Sequence, residues 1–86
     1  MIAITRLGPV QVAALSMHIF DPCLTQWAEE HPEDAFPGSL EGSALVVTDR
    51  ERAYRLLSDA GNDCDREGDR EFRDALFTVA SRILRA

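Results

Sequence analysis

The apolar positions of this chain change period several times. Residues 2–7 alternate weakly and include β-branched side chains, which predicts a short strand. Gly8-Pro9 interrupts it, and proline suits a first helical position because its missing N–H would have no partner there. Val12, Leu15 and Ile19 then recur at i, i+3 and i+7, the buried stripe of a helix over 10–20. Asp21-Pro22 restarts the pattern, with Asp21 as a cap, Pro22 as the first helical residue and Leu24, Trp27, Ala28 and His31 as the stripe.

Pro32, Pro37, Gly38 and Gly42 punctuate 32–43, which reads as a loop with Phe36 and Leu40 turned inward. The apolar run 44–47 predicts a strand pairing with 2–7, a two-stranded unit that is marginal unless helices pack on it. Thr48-Asp49-Arg50-Glu51 has the form of a capping box, the Thr48 hydroxyl and the Glu51 side chain each satisfying a free N–H of the first turn. The helix it opens carries Ala53, Tyr54, Leu57 and Ala60 on one face and meets a stop signal at Gly61-Asn62. After an acidic turn, Phe72, Leu76, Val79, Ala80 and Ile83 predict a last helix, antiparallel to the one before it. The expected fold class is therefore mostly α: a small bundle of about four helices, with a possible two-stranded β pairing (α+β). No internal repeat is visible.

Length and composition narrow this further. The 86 residues make one small domain, 1–86, whose folding buries only about 60–65% of the surface that the unfolded chain exposes. A 45% hydrophobic content is that of a globular chain. No stretch approaches the roughly 18–20 apolar residues of a membrane span, and the N-terminus lacks the basic start and apolar run of a signal peptide. A cytoplasmic location away from membranes is the expectation. In a reducing compartment Cys23 and Cys64 are expected as small buried hydrophobes, although only their Cα separation decides whether they pair.

Charge is unevenly placed. The net charge is −6, and all nine basic residues are arginine. Between Leu7 and Thr48 lie six acids (Asp21, Glu29, Glu30, Glu33, Asp34 and Glu41) and no arginine, whereas from Asp49 onward nine acids face eight arginines. The unbalanced charge thus belongs to the front half. Such a patch keeps a protein soluble; it also repels phosphates and speeds encounter with a cationic partner. In the back half the signs interleave, as on a solvated helix face, with Glu51–Arg55 and Arg70–Asp74 as attractive i, i+4 pairs.

The candidate chemistry is sparse. Asp63-Cys64-Asp65-Arg66-Glu67-Gly68, with Asp74 in the twelfth position, resembles a calcium-binding EF-hand loop: oxygen ligands at one, three and five, glycine at six and an acid at twelve. It departs from that family at Glu67, at Arg70 where an aliphatic residue is usual, and at Asp74, which is too short for the bidentate glutamate. The resemblance implies a calcium-binding helical hairpin; the residues alone read as an acidic first turn facing the positive end of a helix. His18, Cys23, His31 and Cys64 match no zinc module, and no nucleophile stands in a triad-like pattern, so no metal, cofactor or catalytic residue is assigned. A recognition helix opening on Asp63, Asp65, Glu67 and Asp69 would meet phosphates with carboxylates, which argues against direct nucleic-acid reading.

The expected function is accordingly a non-enzymatic interaction module. Trp27, Glu29, Glu30, Glu33, Asp34, Phe36 and Glu41 are the candidate contacts for a protein partner with a basic surface, such as the groove of a nucleic-acid-binding complex. Small phage-encoded inhibitors of bacterial defence, the anti-CRISPR class among them, are similar in length and acidity but share no motif with this chain. A homodimer is a further possibility.

Overall fold

The computed structural model describes all of Met1–Ala86. Strand β1 (Ile2–Ile4) leads into α1 (Pro9–His18) and α2 (Pro22–Glu30), then a single 3-10 turn (Pro32–Asp34), β2 (Gly38–Glu41), β3 (Ala44–Val47), α3 (Arg50–Arg66) and α4 (Arg70–Arg85). Four helices and a three-stranded antiparallel sheet make it a small α+β domain.

β3 is the central strand. It pairs with β1, the expected partner strand, in the register Ile2↔Val47 to Ile4↔Leu45, although β1 ends at Ile4 and not at Leu7. On its other side it pairs with β2, Gly38↔Val47 to Glu41↔Ala44. The second pairing corrects the reading of 32–43 as a loop. Gly42 and Ser43 join β2 to β3 with Gly42 at φ +62°, a left-handed value that glycine reaches without strain. Punctuation that looked like a loop is a hairpin turn.

The helix starts follow side-chain capping. Asp21 accepts the Cys23 N–H at 2.8 Å, and Asp69 accepts the Phe72 N–H at 3.1 Å. At α3 the cap is Asp49, which accepts the Arg52 N–H, rather than Thr48. The Thr48 hydroxyl donates instead to the Pro37 carbonyl, which the Thr48 N–H also reaches, so it ties the end of β3 to the start of β2.

The larger correction lies in α3. It runs through Gly61-Asn62 to Arg66, because carrying the helix on buries Gly61 and Cys64 against α4. Packing of that face outweighs the helix cost of one glycine, about 1 kcal/mol. The stop comes at Gly68, φ +80°, where the Asp69 N–H returns to the Cys64 carbonyl at 2.8 Å.

Fourteen buried apolar residues form the core, and α3 and α4 supply eight of them: Ala53, Leu57, Cys64, Ala75, Leu76, Val79, Ala80 and Ile83. β1 and β3 add Ile4, Leu45 and Val47, the segment before α1 adds Leu7, and α1 adds Ala14 and Leu15. No residue of α2 is buried. The predicted stripe of α2 therefore does not enter the core: Leu24 is 46% and Trp27 53% exposed.

At the α3–α4 seam, an ideal Cβ on Gly61 would stand 2.5 Å from Phe77 Cε1. Gly61→Ala is expected to lower stability in urea melts by about 1 kcal/mol, despite its better helix propensity, because the methyl overpacks the seam. With Phe77→Ala as background the same substitution is expected to raise stability, and a destabilisation of equal size in both backgrounds contradicts the steric account.

Candidate functional site

α2 stands beside the core rather than in it, and its only sustained packing is against the 3-10 turn that follows. Its inner side, carrying Leu24, Trp27 and Ala28, faces α3 across a groove of about 400 Å³. The end of α1 and the start of the next segment (Ile19, Phe20) close one side, and Ala35 and Phe36 contribute another. α3 lines the groove with Leu56, Asp59, Ala60 and Asp63. Nine of its fifteen lining residues are apolar, and its charged groups are all carboxylates: Asp34, Asp59 and Asp63.

The groove wall is held in place. His31 caps the C-terminus of α2, lies within hydrogen-bond range of the Trp27 carbonyl through Nδ1 at 3.2 Å, and stacks on the indole at 3.7 Å between ring centroids with 11° between planes. The indole is thus half exposed but oriented. Phe20 and Phe36 meet edge to face at 5.4 Å and both pack on the core. Arg52 reaches from α3 to donate to the carbonyls of Pro32 (2.9 Å) and Glu33, which pins the 3-10 turn.

The predicted contact residues fall into three places. Trp27, Glu29, Glu30, Glu33 and Asp34 run together along the end of α2 and the 3-10 turn, all exposed. Of these, Trp27 and Asp34 line the groove, whereas Glu29, Glu30 and Glu33 do not. Phe36 is half-buried and serves as a groove wall. Glu41 lies at the far end of β2, roughly 10 Å along the strand from Gly38, next to the hairpin turn.

The three ion pairs of the protein are Arg66–Asp63, Arg73–Asp65 (2.6 Å) and Arg73–Asp74 (3.0 Å). All lie in the back half, and neither i, i+4 pair anticipated from the sequence is among them. Glu29, Glu30, Glu33, Asp34 and Glu41 take part in none. Arg52, the one guanidinium that crosses to the acidic segment, binds main-chain carbonyls and leaves the carboxylates unpaired.

The EF-hand resemblance does not survive as a loop. Asp63 to Arg66 belong to α3 and Arg70 to Asp74 to α4, leaving Glu67-Gly68-Asp69 as the whole connection. Asp63 and Asp65 are engaged by Arg66 and Arg73, and nowhere do three or more potential metal ligands of the His, Cys, Asp and Glu types converge.

The two cysteines are both free and differ in surroundings: Cys23 is exposed on α2, against the expectation that it is buried, and Cys64 is buried in α3. The Cys64 sulfur lies 3.6 Å from His18 Nε2, beneath the groove. Burial pushes the Cys64 thiol above its ordinary value, and the nearby Asp69 and Glu67 carboxylates add to the rise.

Sequence reasoning missed the α3 half of the site. Leu56, Asp59 and Ala60 lie within the helix that the sequence predicts and only Asp63 lies beyond its expected end, but nothing in local periodicity says that this face of the helix stands opposite α2. No known family model matches this chain, and neither does any curated protein or solved structure.

An aromatic-disulfide thiol reagent is expected to modify one cysteine, Cys23, at once in the native protein, and Cys64 only on unfolding. Two equally fast thiols contradict the burial of Cys64. Because the folded value lies above the unfolded one, the contribution of the neutral Cys64 thiol is complete below the unfolded value of about 8.5. It is lost as the pH climbs from there through the folded value, a slope that melts of Cys64→Ala are expected to lack.

Proposed function

We propose that this protein acts by binding, as a small acidic inhibitor or adaptor that docks on a basic surface of a partner protein. The observation that carries the reading is the run of exposed carboxylates Glu29, Glu30, Glu33 and Asp34, each without an ion-pair partner, along one end of α2 and the turn after it. Carboxylates left unneutralised on one edge set up a field that attracts cationic surfaces and disfavours phosphate. The exposed Trp27 beside them supplies the kind of rigid aromatic that anchors interfaces. A groove that normally holds nucleic-acid backbone is the type of surface such an edge would occupy.

The test reverses Glu29, Glu30, Glu33 and Asp34 to arginine and compares affinity capture from the native host by the two proteins. The four side chains are exposed and outside the core, so the variant is expected to fold with an unchanged circular dichroism spectrum. The wild type is expected to retain a basic protein that elutes with rising salt and that the variant does not retain. Capture of the same proteins by both contradicts the reading.

A further inference from the structure

We infer that the groove between α2 and α3 receives an amphipathic, basic helical segment of the partner, a deepening that rests on the interaction reading above. Its walls are helices: α2 gives Leu24, Trp27 and Ala28, and α3 gives Leu56 and Ala60. An apolar channel walled by two helices suits an amphipathic helix laid in by one face, with anchors at i, i+3, i+4 and i+7 meeting Leu24 and Trp27 on one wall and Leu56 and Ala60 on the other. The charge on the rim selects the sign of the segment. Asp34 and Asp59 border the groove without an ion-pair partner, Asp63 is held by Arg66, and no arginine lines the groove. A segment with apolar residues on one side and arginine or lysine flanking them would bury the first on Leu24 and Ala60 and set the second against Asp34 and Asp59.

Two features favour a protein segment there over an empty surface crevice. The apolar side of α2 is left half-open, with Leu24 and Trp27 about half exposed and no residue of the helix buried in the core. The indole of Trp27 is already oriented by its stack on His31, which lowers the ordering cost of contact.

The probe is a synthetic helical peptide of about fourteen residues with leucine at i, i+3, i+4 and i+7 and lysine or arginine elsewhere. Its scrambled isomer, lacking the apolar stripe, and a version with glutamate in place of the basic residues serve as controls. Trp27, the single tryptophan, reports occupancy by its emission, and peptide anisotropy gives the affinity. The amphipathic basic peptide is expected to shift the emission to the blue and to bind about tenfold or more tighter than the scrambled isomer. Leu24→Lys and Asp59→Lys, both at exposed positions, are each expected to weaken it by about tenfold or more with an unchanged melting temperature.

Equal binding of the scrambled isomer overturns the inference while the acidic-surface reading stands, since charge alone then suffices. Absence of binding, or equal binding of the glutamate peptide, also overturns it, and the capture experiment then decides the broader reading separately. A concentration-dependent dimer abolished by Leu24→Lys would make a second copy of this chain the occupant and overturn the assignment to a basic partner.

Discussion

The structure depends on the packing of α3 against α4. Ala53, Leu57, Gly61 and Cys64 are the buried residues of one helix and Ala75, Leu76, Val79, Ala80 and Ile83 those of the other, which also packs on α1 and β1. Small residues at Ala53, Gly61, Ala75 and Ala80 let the helices approach closely, and the larger side chains fill the space between. The three-residue connection Glu67–Asp69 allows little freedom in how the pair is set. On this base, α1 adds Ala14 and Leu15 and the sheet adds Ile4, Leu45 and Val47, which completes a core in a chain too short to bury much more.

Completing the core in this way leaves α2 over. Its apolar residues find no layer to enter, so they line an open groove, while its far end and the next turn present carboxylates to solvent. The Phe20–Phe36 contact and the Arg52 bonds hold the two ends of this segment against the body without filling the space beneath it. The groove and the acidic edge thus adjoin and meet at Asp34, which belongs to both, so one partner can contact the two together.

Much of the fold was legible in the sequence because strong local signals and tertiary demands agreed. The stripe of α4, the Asp21-Pro22 start and the pairing of β1 with β3 fall where periodicity and capping put them. Of the α1 stripe, Leu15 is buried and Val12 and Ile19 are only half-buried, Ile19 lying just past the helix end. Disagreement arose where packing overrode a local cue. Gly61-Asn62 reads as a stop until Phe77 is known to lie over it, and Gly38 to Gly42 reads as a loop until β3 offers a free edge. The α2 stripe misled in the opposite sense, since periodicity reports an apolar face but not what faces it. The acidic edge was visible from composition along the chain, whereas the groove depends on which face of α3 stands opposite α2, a tertiary relation that local patterns do not carry.

The central claim is that the core closes without α2. Native-state amide hydrogen exchange tests it most directly. The amides of α2 from Thr25 to Glu30 are predicted to be at least about a hundredfold less protected than those of Leu57, Leu76 and Val79, which open only with the whole domain. Protection of α2 equal to that of α3 and α4 would place the helix inside the cooperative core and contradict the account.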